Sequence, residues 1–596
     1  MRDSCIEYSV LNGPNRVTMV RNVTISGGAA LAATLRECGV DHFFYVSGGM
    51  GPTFYKELEK GMNMVLCRNE MAACCMADGY SRITKKPSVC YSQHGAAAAV
   101  LASMLYEAMF SHSPVVALTG SVPTSRKDQW YYQESYEMPY FESTCKFNVD
   151  VTDLNRLAEY VRTAIQIAVS GCPGPTHVNI HTDMADAVAE MPEIYGDKTF
   201  FEAPAFRPRA EPERVAEAAR LLSSAERPVM ICGSGVHISA AYNEVRELAE
   251  LLAIPVVTNY KGKGCFPEQH PLYVGVMGTY GMEFANEIVR ESDLVFFVAT
   301  RAEPHMTEEL TAPEPGASKI IHLDIDPVAI GRNYKADVAL VGDARLTLRD
   351  LIAALRSMTA IPRRNEQRLR DIATAINQYQ SVVAPMMDSD AIPIKPQRIM
   401  KEVSKVLRPG DIVVSDTGFM ICWTARLLRL KGYGLNYIPS GGTLGCSFPL
   451  AIGVSFAASK EQRVVNLIGD GGIAYNLADL ETARRYNDRH APLVAIVNNN
   501  SSLAQVRPRL EDFGLKKAPW ITHCDFGDVN YAKIAEVFHC FGVRVERPGD
   551  LADAIRRALD SGKPAVVDVV TDKREYAPLG IARQAKRESF PGIPTY

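Results

Sequence analysis

RVVNLIGDGGIAYNLADLETARRYNDRHAPLVAIVNNNSS, Arg463 to Ser502, decides the fold of the C-terminal third of this 596-residue chain. The run Val464–Ile468 reads as a short buried strand that ends at Gly469-Asp470-Gly471-Gly472. A helix is predicted over Leu477–Tyr486, and a second strand, Leu493–Val497, ends at Asn498-Asn499-Asn500. In a right-handed βαβ unit the two strands are parallel, so both polar turns emerge at the same carboxyl edge, where open α/β sheets bind ligands. Asp470 and one of the asparagines can then face the same ion. Carboxylate and amide oxygens are hard ligands that suit Mg²⁺ completed by phosphate oxygens. The glycines permit close approach of a diphosphate, whose charge the following helix N-terminus favours. A lone Asp-Gly is ordinarily a turn and an asparagine run a solvated loop; their placement at the two ends of one βαβ unit argues for a site.

Similar apolar runs, Val115–Leu118, Val229–Cys232, Ile254–Thr258 and Leu294–Val298, alternate with helical patterns along the rest of the chain, the mark of parallel α/β sheets. Linkers are expected at the proline-rich Phe201–Pro212 and near Asp388–Gln397, giving domains over 20–190, 210–360 and 390–580. Apolar residues make up 47% and charged residues 22%, enough for large cores and unlike a disordered chain. With 64 basic against 68 acidic residues the net charge is −4, which gives no basis for nucleic-acid binding. The uncharged stretch Gly432–Ser459 is long enough to span a bilayer but contains Pro439, Pro449 and six glycines, so it is read as a buried loop followed by a helix, and no membrane partner is expected. The 14 cysteines show no CxxC spacing and are expected as reduced, buried thiols in a cytoplasmic protein. The opening residues MRDSCIEYSV lack the apolar core of a secretory signal.

The GDG…NN pattern resembles the thiamin diphosphate (ThDP) enzymes, most closely the acetolactate synthase and oxalyl-CoA decarboxylase branch. The resemblance implies Asp470 and Asn500 as side-chain Mg²⁺ ligands, Ser502 as a backbone-carbonyl ligand, and Gly469, Gly471 and Gly472 around the diphosphate. Three extra residues near Asp488-Arg489-His490 lengthen the usual interval and leave Asn499 as the alternative ligand. NMVLCRNEMAACCMADGYSRITKKPSVCYSQHGAAAAV, Asn63 to Val100, resembles the family's pyrimidine domain and puts Glu70 at the position of its catalytic glutamate. In that family this acid shares a proton with the cofactor's pyrimidine ring and comes from the partner subunit, which implies a homodimer or a tetramer. An acid at a helix start also complements the macrodipole, the plainer reading of Glu70.

After the strand Val89–Tyr91 the family's G-P-G turn is replaced by Gln93-His94-Gly95. Gly95 keeps the backbone freedom; a lone histidine such as His94 is more often structural, and the alternative is a place near the substrate, because histidine titrates where proton shuttles must. Tyr132-Gln133-Glu134 matches F-Q-E and makes Gln133 an active-site amide. In Ser440–Pro449, which resembles S-G-G-x-G-x-M-G, Gly442 and Leu444 would hold the aminopyrimidine, Leu444 being the wedge that bends the cofactor. Thr417 and Gly418 would contact diphosphate. Ile231–Val236, Lys261–Gly275 and Ile320–Asn333 follow the acetolactate synthase middle domain, which holds FAD in some members. Arg301 matches an FAD-contacting arginine, whereas Ala302-Glu303-Pro304-His305 departs from the usual R-F-D-D-R.

The resemblance implies ThDP- and Mg²⁺-dependent decarboxylation or carboligation of 2-keto acids. Hydrolysis of a cyclic 1,2-diketone and oxalyl-CoA-type lysis are the alternatives, and a non-catalytic subunit is disfavoured by intact Glu70, Asp470 and Asn500. Where the branched-chain biosynthetic enzymes carry a tryptophan beyond the metal asparagine, this chain has Arg509. Arg507, Arg509, Lys516 and Lys517 fall on what the family uses as a lid, and Arg507 or Arg509 is expected to hold an anionic substrate group.

Overall fold

The computed structural model describes residues 22–358, 365–512 and 523–578. MRDSCIEYSV lies outside them. Three six-stranded sheets, each wholly parallel and covered by helices, follow one another along the chain, as the alternating apolar runs predict. The N-terminal sheet has the order Asn63–Leu66, His42–Tyr45, Ser88–Ser92, Val115–Ser121, Thr176–His181, Asn148–Val151. The central sheet is Tyr273–Val276, Val256–Thr258, Pro228–Cys232, Leu294–Val298, Lys319–Asp324, Val338–Val341. The C-terminal sheet is Tyr437–Pro439, Ile412–Ser415, Val464–Gly469, Leu493–Asn499, Ala565–Val570, Phe541–Val545. A short antiparallel pair, Asn22–Ser26 with Val188–Pro192, ties the first described residues to the end of the N-terminal unit.

One local expectation is extended and another needs correction. The helix expected over Leu477–Tyr486 is present as Asp479–Arg485, and a turn of helix at Asp470–Ile473 and a 3₁₀ turn at Ala474–Asn476 precede it. Helical geometry begins at Asp470 because an acid in the first turn is matched to the unpaired N–H groups there. Gly432–Ser459 is more than loop and helix, since Tyr437–Pro439 forms the edge strand of the C-terminal sheet before the buried helix Ser447–Ala457. Pro439 is tolerated because it ends that strand at the sheet edge. The described cysteines are free thiols and mostly buried.

One hydrophobic core is shared between the outer two units. The helix Glu70–Thr84 of the first packs on Ser447–Ala457 of the third, with Ala73, Met76, Ala77, Leu450, Ala451 and Val454 among the buried residues. The crossing is close because glycines stand at it: a Cβ on Gly79 would lie 2.2 Å from the Leu450 carbonyl oxygen, and one on Gly453 2.0 Å from that of Met76. Backbone cannot yield as a flexible side-chain tip can. Gly453→Ala is therefore expected to destabilise the chain by about 1–3 kcal/mol, the scale of overpacking, read as a lower urea midpoint. An unchanged midpoint would mean that the helices separate without cost.

Candidate active site

The parallel register pairs Gly469 with Asn498, so the two chain segments leave the sheet side by side. Asp470 follows the first strand and Asn500 the second, at the rim of a cavity of about 490 Å³. The neighbouring strand Ile412–Ser415 brings Thr417 and Gly418 to the same edge, and the loop before Ser447 brings Gly442 and Leu444. Thr417, Gly418, Gly442, Leu444, Gly469, Asp470, Gly471, Gly472, Asn500 and Ser502 thus all line one space, from four separate stretches of sequence.

Strand alternation separates the three asparagines. Neighbours on a strand point to opposite faces, and Asn499 is turned away to give its amide N–H groups to the Val529 carbonyl (2.8 Å) and to Asp568 Oδ1 (2.8 Å). Asn498 and Asn500 face the cavity instead, and the Oδ1 of each is buried with no protein donor. Asp470 is buried, and its Oδ2 accepts the Ser502 N–H at 3.1 Å. The Tyr531 hydroxyl holds the Asp470 carbonyl at 3.1 Å. Burial pushes the Asp470 carboxyl up to about 6; the Gly471 and Ser502 amides oppose this and the Asp568 charge adds to it.

An orphaned amide oxygen next to a destabilised buried carboxylate is a donor pair in want of a cation, and hard oxygens suit Mg²⁺. Glycines complete the cradle. A Cβ on Gly469 or Gly442 would meet nothing within 4 Å and would enter the cavity, and Gly442 holds φ +135°, a backbone that side chains rarely adopt. The residues present therefore fit a diphosphate with its metal. Because a ligand carboxyl must lose its proton, retention of Mg²⁺ and ThDP is expected to weaken as pH falls through about 6, with Asp470 as the group responsible. Calorimetric titration at pH 5 and pH 7 checks this; equal affinity would release Asp470 from the role.

Two carboxylates that shape this cavity escaped the sequence reading. Asp416 is fully buried and pushed up to about 7 by burial, with the Gly445 N–H at 3.3 Å from each of its oxygens. It belongs to the same segment as Thr417 and Gly418, so its sequence position was a usable signal. Glu107 lies in the apolar helix Ala96–Phe110 of the N-terminal unit, where nothing marks it. It pairs with Arg82 at 2.9 Å and accepts the N–H groups of Gly441 and Thr443, while Arg82 donates to the Pro439 carbonyl at 2.8 Å. A buried ion pair of the first unit thus carries the Gly442–Leu444 loop of the third.

The N-terminal candidates lie elsewhere: His94, Gly95 and Gln133 form a second cluster, and Glu70 is at the start of a helix. Glu70 opens its helix, half-buried, after Asn69, whose side chain caps the Ala72 N–H at 2.8 Å. His94 is buried, with Nε2 3.0 Å from the Tyr132 carbonyl and Nδ1 unpartnered, so the proton sits on Nε2. Gln93 Nε2 donates to Gln133 Oε1 at 2.8 Å. None of Glu70, His94, Gly95 and Gln133 lines the 490 Å³ cavity of its own chain. Around the second cluster the aromatic side chains Trp130, Tyr132 and Tyr136 stand exposed.

Arg507 departs from the expected lid. It is buried, donating to Asp525 and, at 3.3 Å, to Ser502 Oγ, so its guanidinium braces the loop that follows Asn500. A charge spent on a neighbouring carboxylate is not available to a substrate. The Arg509 side chain, Lys516 and Lys517 lie outside the described residues. In the central unit Arg301 is ion-paired to Glu303 at 3.3 Å and stacked over Phe110. It lines, with Asp324 and Asp326, a chamber of about 50 Å³ that adjoins another of about 80 Å³ beside Lys85 and Lys261. Ligand pockets run to roughly 300–1,000 Å³, so these chambers do not fit FAD.

Comparison with known proteins follows the same division of the chain. Residues 25–139 match the family model of the thiamine pyrophosphate enzyme N-terminal TPP binding domain, 215–351 the central domain and 416–569 the C-terminal TPP binding domain. The chain belongs to the thiamin diphosphate enzymes. It is 33% identical over 577 residues to a probable acetolactate synthase large subunit of Methanocaldococcus jannaschii, covering 93% of each chain. It is 31% identical to the probable acetolactate synthase large subunit of Methanococcus aeolicus, covering 92% of each. The acetolactate synthase of Mycobacterium bovis is 31% identical over 92% of this chain and 88% of its own. This ThDP-family chain is accordingly an enzyme of the transferase and lyase kind. Among its described residues no helix is long and apolar enough to cross a membrane.

Proposed function

We propose that this chain is a ThDP- and Mg²⁺-dependent enzyme that decarboxylates a 2-keto acid and joins the remainder to a second carbonyl compound. The observation that carries the reading is the meeting of Asp470 with the unpartnered Asn500 Oδ1 at the rim of a glycine-lined cavity, in a chain similar to acetolactate synthases along its length. Asp470, Asn500 and the Ser502 carbonyl would hold Mg²⁺, and the backbone at Thr417, Gly418, Gly469, Gly471 and Gly472 would receive the diphosphate. Gly442 and Leu444 would hold the pyrimidine ring. When bound, ThDP supplies the electron sink that lets a 2-keto acid lose CO₂.

The protein's own part is orientation and proton handling. Asp416 and Glu107 fix the turns at Gly445 and at Gly441–Thr443 from behind, so the rim is set before any ligand arrives. Glu70 would hold the proton at the pyrimidine nitrogen, and His94 and Gln133 would face the substrate. Since those three stand apart from the Asp470 cavity of the same chain, a second copy completes each site, and the enzyme works as a homodimer or a dimer of dimers in the cytoplasm. The domains are those divided at Phe201–Pro212 and Asp388–Gln397.

Incubating the Mg²⁺- and ThDP-loaded enzyme with pyruvate, 2-ketobutyrate and cyclohexane-1,2-dione, with products identified by mass, tests the reading. Release of CO₂ with a condensed hydroxy-keto acid supports it. Opening of the dione by water without CO₂ release would replace it with a C–C hydrolase, and ThDP-dependent cleavage of an acyl-CoA alone would replace it with an oxalyl-CoA-type lyase.

A further inference from the structure

We infer that Glu137 is a positioning residue of the N-terminal half-site, tying the His94–Gly95 turn to the loop that carries Gln133 through the Gly95 amide. The inference rests on the reading of His94, Gly95 and Gln133 as substrate-facing groups.

The geometry is that of a clasp. Gly95 precedes the 15-residue helix Ala96–Phe110, and its N–H donates to Glu137 Oε1 at 2.5 Å. Glu137 is only 3% exposed, and its Oε2 is buried with no hydrogen-bond partner. On the other side, the Gln133 carbonyl oxygen lies 2.5 Å from where a Cβ on Gly95 would sit, and Gln133 itself has φ +56°. The His94 ring reaches back to the Tyr132 carbonyl at 3.0 Å. Turn and loop are therefore joined by the Glu137 and His94 hydrogen bonds and held in close approach at Gly95, and Glu137 is the acidic member of the clasp.

An unpaired carboxyl is a costly way to satisfy one N–H, since a neutral acceptor would serve without a second buried oxygen. Burial pushes Glu137 up to about 7, and the Asp150 charge adds to this, while the Gly95 amide, His181 and the Ser135 hydroxyl oppose it. The groups facing it are Asp150 on Asn148–Val151, His181 on Thr176–His181 and Tyr91 on Ser88–Ser92. Lys127 at 3.0 Å and His181 at 3.2 Å pair directly with Asp150, so neither forms an ion pair with Glu137. The bond to Gly95 is charge-assisted, hence shorter and stronger, only while the carboxyl is ionised. The turn is tightened as pH rises through about 7, and kcat/KM rises with it.

Glu137→Ala, Glu137→Gln and wild-type enzyme, each loaded with Mg²⁺ and ThDP, test this. In Glu137→Ala, hydrogen exchange at the Gly95 amide should quicken, and kcat/KM should fall roughly 10–100-fold, the scale of a small misplacement. ThDP affinity should stay within about twofold, because Glu137 does not line the diphosphate cavity. Glu137→Gln keeps the acceptor without the charge and should recover most of the activity while losing the inflection near pH 7. Asp416 lies in the other half-site and is present in all three proteins, so a limb removed only by the Gln variant belongs to Glu137. Wild-type exchange and kcat/KM in Glu137→Ala would overturn the inference, as would an unaltered pH profile in Glu137→Gln. Should the alanine variant not fold, the pH arm of the glutamine variant decides. If the wild-type enzyme turns over no keto acid, the proposed function fails, and the exchange measurement still reports on the clasp.

Discussion

Asp470→Ala should lose ThDP retention, by more than about a hundredfold in affinity, with the apo fold intact. Loss of an outer-sphere partner alone commonly costs a metal site 10–100-fold, and Asp470 is the charged member of the donor set. The carboxyl is buried and held above its ordinary range by desolvation, so its removal relieves the empty protein of a burial cost and apo stability should hold or rise slightly. The clearest readout is thermal. ThDP with Mg²⁺ at a hundred times its Kd should stabilise the wild-type enzyme by about 2.7 kcal/mol, and the variant should show no such shift. A full ligand-induced shift in Asp470→Ala would remove the metal assignment.

Glu70→Gln should bind ThDP nearly as wild type and yet slow exchange of the cofactor's C2 proton by roughly 10²–10⁴-fold, the range for a positioned acid–base group. Exchange at the wild-type rate would show that Glu70 only caps its helix. Because Glu70 does not line the cavity that Asp470 lines in its own chain, the two variants should also complement each other. In a mixed dimer one site pairs the intact Glu70 with the intact Asp470, and the other pairs both lesions. Random reassortment of equal amounts makes about half of the dimers mixed, each with one good site of two, so roughly a quarter of wild-type activity should return. No recovery after confirmed reassortment would mean that both groups serve one site within a single chain.

The cysteine-bearing, near-neutral, three-sheet architecture was legible from composition and from the period of the apolar runs. The strands of a doubly covered parallel sheet are mostly apolar, and Leu294–Val298 matches its expected limits to the residue. The GDG turn and the asparagine run were legible for a related reason, since right-handed crossover leaves two parallel strands no choice but to end at the same edge. Arg507 was misread because an arginine's role depends on what stands opposite, and Asp525 is 18 residues further along the chain. Glu107 was passed over because its partners, Gly441 and Thr443, lie over 300 residues away.

By itself, then, the sequence determined the local terms: the strand periods, the glycine turns, the donor types at Asp470 and Asn500, and the family resemblance that tied them to ThDP. Only the tertiary structure turned Asn499 away from the cavity and Asn500 toward it, because strand alternation and burial set which face each side chain takes. It also decided that Glu70 does not line the Asp470 cavity of its own chain, that Glu137 rather than a backbone group closes the Gly95 turn, and that the central chambers are too narrow for a flavin. The reason is common to all of these. Burial and pairing are set by groups distant in sequence, whose positions depend on how the sheets and helices pack, and a chain read in order does not state which charge will meet which.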